Sequence, residues 1–158
     1  MKVYLGLGAN LVEPQRQMEG ALELLGGEQL VSSLYRTAPV GGPPNQPDYL
    51  NAVMAFQWHR SPFALLALIH RIEAAYGRER QVRFGPRTLD IDILAISGLS
   101  IKSTELTLPH PRVAERAFVL VPLAEVDVDL AMKFGYVGGY PDEVVKVADF
   151  DTVGSRWV

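Results

Sequence analysis

The 158-residue chain contains no cysteine. That excludes a disulfide framework and zinc–thiolate sites, so a metal would have to be held by oxygen ligands or by the three histidines. No apolar run approaches the roughly 18 residues of a bilayer span, and the first residues lack the cationic stretch and apolar core of a signal peptide. Neither secretion nor a membrane partner is expected, and the expected location is cytoplasmic. Positive charge is not in excess either. Fifteen Lys and Arg against 18 Asp and Glu give a net charge of −3, a balance that argues against generic nucleic-acid binding. A phosphate-cradling G-x-x-x-x-G-K-[ST] loop is absent, and the dinucleotide fingerprint is incomplete because Leu11 follows Gly6 and Gly8 where a third glycine belongs. A nucleotide would have to be held without either device.

What is present describes an ordinary globular domain. The hydrophobic fraction of 48% and the charged fraction of 21% suffice for a sizeable core, and the length fits a single domain over residues 1–158. Residues 2–8 form an apolar run ending in glycines, read as permitting a tight turn. Asn10 follows as a helix-cap or ligand-facing amide. Pro14, with Met18, Ala21, Leu22 and Leu25, marks a helix. Residues 30–37 are β-like, and a loop with four prolines leads to a second strand over 49–58. Ser61-Pro62 is a helix start, with serine as N-cap and proline at the first position, and Gly77 supplies the left-handed stop. On that helix Leu65, Leu68, Ile69 and Ile72 share the core face, while Leu66, His70 and Glu73 share another. A strand over 89–96 and a short helical stretch after Pro109-His110-Pro111 complete a β-α-β-β-α-β order. The expected fold is α+β: a ferredoxin-like sandwich, an antiparallel sheet with helices packed on one face. From Glu125 onward seven acids face three basic residues, and peripheral strands or weaker order are expected there, as a peripheral C-terminal extension.

Chemistry concentrates in the second half. Period-2 geometry puts Asp90 and Asp92 on one sheet face roughly 7 Å apart, with Leu89, Ile91 and Ile93 on the other. Two carboxylates so close call for a cation, and oxygen ligands favour Mg²⁺; pairing with an arginine such as Arg87, or solvent exposure, is the alternative. Five arginines (Arg71, Arg78, Arg80, Arg83, Arg87) lie between positions 71 and 87 against only Glu73 and Glu79. This basic island suits an anionic ligand, or else forms a solvated charged face. Arg87 ends a Gly85-Pro86 turn three positions before Asp90, presenting bidentate phosphate donors beside the acids. Glu73 sits in the last turn of its helix, where the dipole disfavours an acid, with His70 as its obvious local partner. Tyr49 and Phe118 are either core aromatics or a sandwich for a planar heterocycle.

Arg83-Phe84-Gly85-Pro86-Arg87-Thr88-Leu89-Asp90-Ile91-Asp92-Ile93-Leu94 resembles the signature of the 6-hydroxymethyl-7,8-dihydropterin pyrophosphokinase family. Gly6 to Leu11, Tyr35-Arg36-Thr37, Gln46 to Ala52, and Leu108 to Arg112 with Glu115 to Leu120 resemble the family in the same order, so the resemblance covers about residues 1–126 and leaves 127–158 unassigned. It implies a ferredoxin-like monomer that transfers pyrophosphate from ATP to the hydroxymethyl group of the pterin, releasing AMP, with two Mg²⁺ ions bridging the phosphates. By matching positions, Asp90 and Asp92 would hold the metals, Tyr49 and Phe118 would stack the pterin, and Asn51 would bond its polar edge. Backbone groups around Thr37 and Val40 would line that pocket. Arg78 and Arg87 would stabilise the transferring group, with His70, Glu73, His110 and Arg116 on the ATP side.

The chain departs from the family pattern at Ala9, where serine is common, and at Phe84, where tryptophan is frequent. Two other readings compete. A two-metal nucleotidyl or phosphodiester enzyme would use the same acids but lack the pterin stack. A single-stranded RNA module would need basic and aromatic residues on the open sheet face, where this sequence puts Asp90 and Asp92.

Overall fold

The computed structural model describes residues 1–39, 44–77, 89–139, 141 and 143–158. In chain order β1 (Lys2–Ala9), α1 (Pro14–Leu25), β2 (Gln29–Val31), β3 (Leu34–Thr37), β4 (Tyr49–Gln57), α2 (Pro62–Ala75) and β5 (Asp90–Ile96) come first. A small hairpin of β6 (Ile101–Lys102) and β7 (Thr107–Leu108) follows, then a short 3₁₀ turn at Val113–Glu115, α3 (Ala117–Val126) and α4 (Val128–Lys133). Three short strands end the chain: β8 (Val145–Ala148), β9 (Phe150–Asp151) and β10 (Arg156–Trp157).

The main sheet runs β5-β1-β4-β3-β8, and its paired strands are antiparallel. Each helical crossover skips a strand: α1 leaves β1 for the far side of β4, and α2 leaves β4 for the far side of β1. The β-like stretch at 30–37 becomes two pieces, β2 and β3, both along β4. Ser32 joins them, its N–H donating to the Val53 carbonyl and its hydroxyl accepting from the Val53 N–H, each at 2.9 Å. The serine thus keeps the edge of β4 satisfied where the strand breaks.

Local sequence accounts for the helices. Ser61 Oγ accepts from the Ala64 N–H at 3.1 Å and Pro62 opens α2, while Gly77 at φ 73° takes the left-handed conformation just past its end. Met18, Ala21, Leu22 and Leu25 of α1 and Leu65, Ile69 and Ile72 of α2 are buried against Val3, Leu5, Leu7 and Ala9 of β1 and Ile91 and Ile93 of β5. This is the helix-covered face that the alternation along β1 predicts.

The expectation that helices cover only one face is corrected. Tyr4, Val53, Ala55 and Leu94 point to the opposite face and pack with Val119, Leu120 and Leu123 of α3 and Ala131 of α4. Apolar side chains on both faces of β1, β4 and β5 require two covers, so the domain is a three-layer α/β/α arrangement over part of its sheet. Tyr4 also donates its hydroxyl to Asp127 Oδ2 at 2.5 Å, and Asp127 caps α4 by accepting from the Leu130 N–H at 3.0 Å.

The C-terminal part is also less peripheral than its composition predicts. Strand β8 extends the main sheet beside β3, and Trp157 is 3% exposed within the main core. Its indole donates to the Ser32 carbonyl at 2.9 Å, its N–H donates to Glu19 at 2.8 Å, and its carbonyl accepts from Gln15 at 2.8 Å. One large aromatic surrounded by these bonds offsets the ordering cost of a polar, glycine-containing segment. No helix among the described residues is long and apolar enough to cross a membrane.

Two outcomes are expected. Trp157→Ala costs about 3–5 kcal/mol in urea unfolding, because it empties a core site and strands the Ser32 carbonyl. Burial, reinforced by Asp127, pushes the Tyr4 phenol up from 10.0 to about 12. Because the folded value is the higher one, the stabilisation is complete below pH about 10 and is lost as pH rises toward about 12. The stability difference between wild type and Tyr4→Phe therefore narrows across that window, as alkaline denaturation curves will read.

Candidate active site

Helices α3 and α4 cover only part of their sheet face, and the uncovered part carries the chemistry. Pairing brings Gly8 opposite Asn51 and Asp90, Gly6 opposite Asp92, and Thr37 opposite Tyr49. With period-2 alternation these residues share one face. They floor a cavity of about 340 Å³ that is closed on its helix side by Arg116, Phe118 and Val119.

The glycines set the depth of this floor. Gly6 and Gly8 lie inside β1, not in the tight turn that the sequence suggests. A Cβ at Gly8 would stand 3.2 Å from Asn51 Oδ1, and one at Gly6 would stand 3.3 Å from Leu94 Cδ2. A side chain at position 8 would therefore push on the amide that faces the cavity. Asn51 is itself fixed, because its Nδ2 donates to Thr37 Oγ1 at 2.9 Å and both residues are buried. Asn10 does not cap α1, whose N-cap position is Glu13; its Nδ2 donates to the Pro47 carbonyl at 3.0 Å and ties the end of β1 to the loop before Tyr49. Tyr49 and Phe118 are half-buried at the cavity wall, and Phe118 also packs against the α3–α4 core. The Arg116 guanidinium lies 5.7 Å from the Phe118 ring centroid, in cation–π range.

Asp92 connects this cavity to a second one of about 300 Å³, whose wall includes His70, Glu73, Thr107 and His110. Asp92 Oδ2 stands 3.6 Å from Arg116 Nη1, and Asp92 Oδ1 stands 4.0 Å from His110 Nε2. The backbone places His110 there, since its N–H donates to the Leu94 carbonyl at 2.8 Å. Its Nδ1 accepts from the Arg112 N–H at 3.1 Å, so in the neutral ring the proton sits on Nε2, toward Asp92. Burial, with the Arg116 charge second, holds the imidazole below its usual value, which favours that neutral form. His110 is thus arranged as a hydrogen-bond donor.

Thr37, Tyr49, Asn51, Asp90, Asp92, Arg116 and Phe118 come together in the larger cavity, and His70, Glu73, Asp92 and His110 in the smaller. Val40, Arg78 and Arg87, with Arg80 and Arg83, lie outside the described residues. Arg112, beside His110 in the sequence, reaches the larger cavity, and Glu105 reaches the smaller without having been singled out. Arg112 had a signal, its place two residues after His110. Glu105 had none, because only the fold of the β6–β7 hairpin carries it there.

Among the described residues no cluster of three His, Cys, Asp or Glu forms a complete metal cage. Two carboxylates facing one cavity nevertheless suit Mg²⁺, which takes one or two protein carboxylates and completes its shell with water and substrate phosphate. The donor set at Asp90 and Asp92 therefore fits that ion.

Residues 4–128 match the family described as 7,8-dihydro-6-hydroxymethylpterin-pyrophosphokinase (HPPK). The chain is 45% identical over 136 residues to the 2-amino-4-hydroxy-6-hydroxymethyldihydropteridine pyrophosphokinase of Methylorubrum extorquens, covering 83% of this chain and 85% of that protein. The enzyme of the same name from Haemophilus influenzae is 43% identical over 134 residues, covering 82% and 83%. That from Bacillus subtilis is 41% identical over 128 residues, covering 78% and 76%. A crystal structure of Plasmodium falciparum HPPK-DHPS superposes with a TM-score of 0.59 at 14% identity, covering 99% of this chain and 48% of that one, a likeness of fold. The chain belongs to the 7,8-dihydro-6-hydroxymethylpterin-pyrophosphokinase family and is a pyrophosphokinase of folate biosynthesis.

Proposed function

We propose that the larger cavity takes 6-hydroxymethyl-7,8-dihydropterin, the smaller takes the nucleoside end of ATP, and pyrophosphate passes between them beside Asp92. The observation that carries this reading is the shared wall: Asp92 lines both cavities. An acceptor and a donor held on either side of one carboxylate are positioned for transfer without a large movement.

In this reading Tyr49 and Phe118 stack the flat pterin, and Asn51, oriented by the Thr37 hydroxyl, hydrogen-bonds its polar edge. Backbone groups near Thr37 and Val40 complete that pocket. The pterin hydroxyl attacks the β-phosphorus in line and yields its proton to a phosphate oxygen, the bond from the β-phosphorus to the α-phosphate oxygen breaks, and AMP leaves. Two Mg²⁺ ions held by Asp90 and Asp92 supply neutralisation of the phosphate charge. Arg78, Arg87 and Arg116 add guanidinium donors to the transferring group, and His110 donates from Nε2. His70 and Glu73 form the wall on the nucleotide side. Since the His110 proton is on the nitrogen that faces Asp92, the ring does not stand as the base, and positioning with charge stabilisation carries the rate. The enzyme acts as a cytoplasmic monomer of one domain. Two half-buried aromatics and a fixed amide in the larger cavity suit a flat heterocyclic acceptor.

Purified protein mixed with Mg²⁺, ATP and 6-hydroxymethyl-7,8-dihydropterin is expected to yield AMP and a pyrophosphorylated pterin, resolved chromatographically. ADP as product, or folded protein without pterin-dependent turnover, would overturn the reading. Asp92→Ala is expected to abolish metal-dependent turnover while pterin binding, followed by fluorescence titration, survives in part. Near-normal turnover in that variant would remove the metal assignment.

A further inference from the structure

Glu73 is the only buried carboxylate among the described residues, at 2% exposure. Its position is unfavourable twice over. It sits in the last turn of α2, where the carbonyl end of the helix dipole disfavours negative charge, and burial strips its hydration. A specific bond offsets this: Glu73 Oε2 accepts from the Ile91 N–H at 2.9 Å. Ile91 is the residue between Asp90 and Asp92, and β5 is, among the described residues, an edge strand of the main sheet. An N–H on an edge strand that points away from its neighbour needs an acceptor from elsewhere, and α2 supplies one. The helix end is itself held down by Ile69 and Ile72 in the core.

We propose that Glu73 is a positioning residue: by gripping the Ile91 peptide it fixes the backbone from which Asp90 and Asp92 project, and so fixes the separation and direction of the two carboxylates. This rests on the reading of those two residues as Mg²⁺ ligands. Mg²⁺ demands near-ideal octahedral geometry, so an edge strand free to shift by a fraction of an ångström would present its ligands poorly. The carboxylate also faces the cavity assigned to the nucleoside, and an anion there is better engaged with a backbone donor than directed at a phosphate chain.

Two substitutions separate this role from direct nucleotide contact. Glu73→Leu keeps the bulk and removes the acceptor; Glu73→Gln keeps an acceptor oxygen. Amide hydrogen exchange of the protein without metal or nucleotide reads the grip directly, and the Ile91 amide is expected to exchange about tenfold faster in Glu73→Leu. In the same variant the Mg²⁺ concentration for half-maximal turnover rises by a similar factor, pterin affinity is unchanged, and Glu73→Gln recovers most of both losses. Unchanged Ile91 exchange in Glu73→Leu would overturn the proposal. So would equal increases in the KM for ATP in both variants with the Mg²⁺ requirement unaltered, which would make Glu73 a nucleotide contact. If the leucine variant does not fold, Glu73→Gln decides: the small part of the grip that its weaker acceptor loses must raise Ile91 exchange and the Mg²⁺ requirement together, and a rise in only one or in neither overturns the proposal. Asp90→Asn serves as the control on the metal reading. If that variant keeps the wild-type Mg²⁺ requirement, the metal assignment fails, while Ile91 exchange still judges the grip.

Discussion

Alternation along the central strand is the constraint on which the other features depend. Strand β1 sends Val3, Leu5, Leu7 and Ala9 into the α1–α2 layer and Tyr4 into the α3–α4 layer. Further along that second face it presents only Gly6 and Gly8. Where side chains of ordinary size stand, a helix layer is needed to bury them; where hydrogen atoms stand, a hollow remains. The neighbours of the glycines on β4 and β5 are therefore free to be polar, and Asn51, Asp90 and Asp92 occupy those positions. The boundary between packed core and open cavity falls within one strand, between Tyr4 and Gly6.

Electrostatics divide the chamber in a way the backbone alone does not. Asp92 meets a fixed cation on one side, Arg116, and a neutral donor on the other, His110. Arg116 also lies over Phe118, so the residue that would stack a heterocycle and the one that would neutralise phosphate are mechanically joined at the start of α3. Small changes in the angle of that helix would move both side chains together.

Much of this was legible before any coordinates. The Leu-Asp-Ile-Asp-Ile alternation places the two acids on one face, and the structure has Leu89, Ile91 and Ile93 in the core opposite them. Ser61-Pro62 and Gly77 bound α2 within a residue or two. The grouping of Leu66, His70 and Glu73 on one helical face reappears as one wall of the smaller cavity. Other features were hidden for physical reasons. A glycine pair after an apolar run reads equally as a turn or as a strand beside a hollow, because local propensity carries no information about what lies above the sheet. The α3 sequence is apolar on nearly every side, so its periodicity does not say which surface it covers. The docking of Trp157 depends on Ser32, Glu19 and Gln15, more than a hundred positions away in the chain.

Among the described residues the strand order ends at β5 and β8, with β2 a further short margin along β4, and the two ends are guarded differently against self-association. At β5 a side chain from α2 occupies an outward N–H, which removes one rung that an incoming strand from another molecule would use. At β8 the guard is brevity and charge: four residues, with Lys146 paired to Asp149 at 2.5 Å. Without β8 the exposed boundary would become β3, whose Thr37 and Tyr35 would then stand at a ready template for intermolecular pairing. The C-terminal segment therefore covers the same margin of the sheet whose Thr37 leads into the larger cavity.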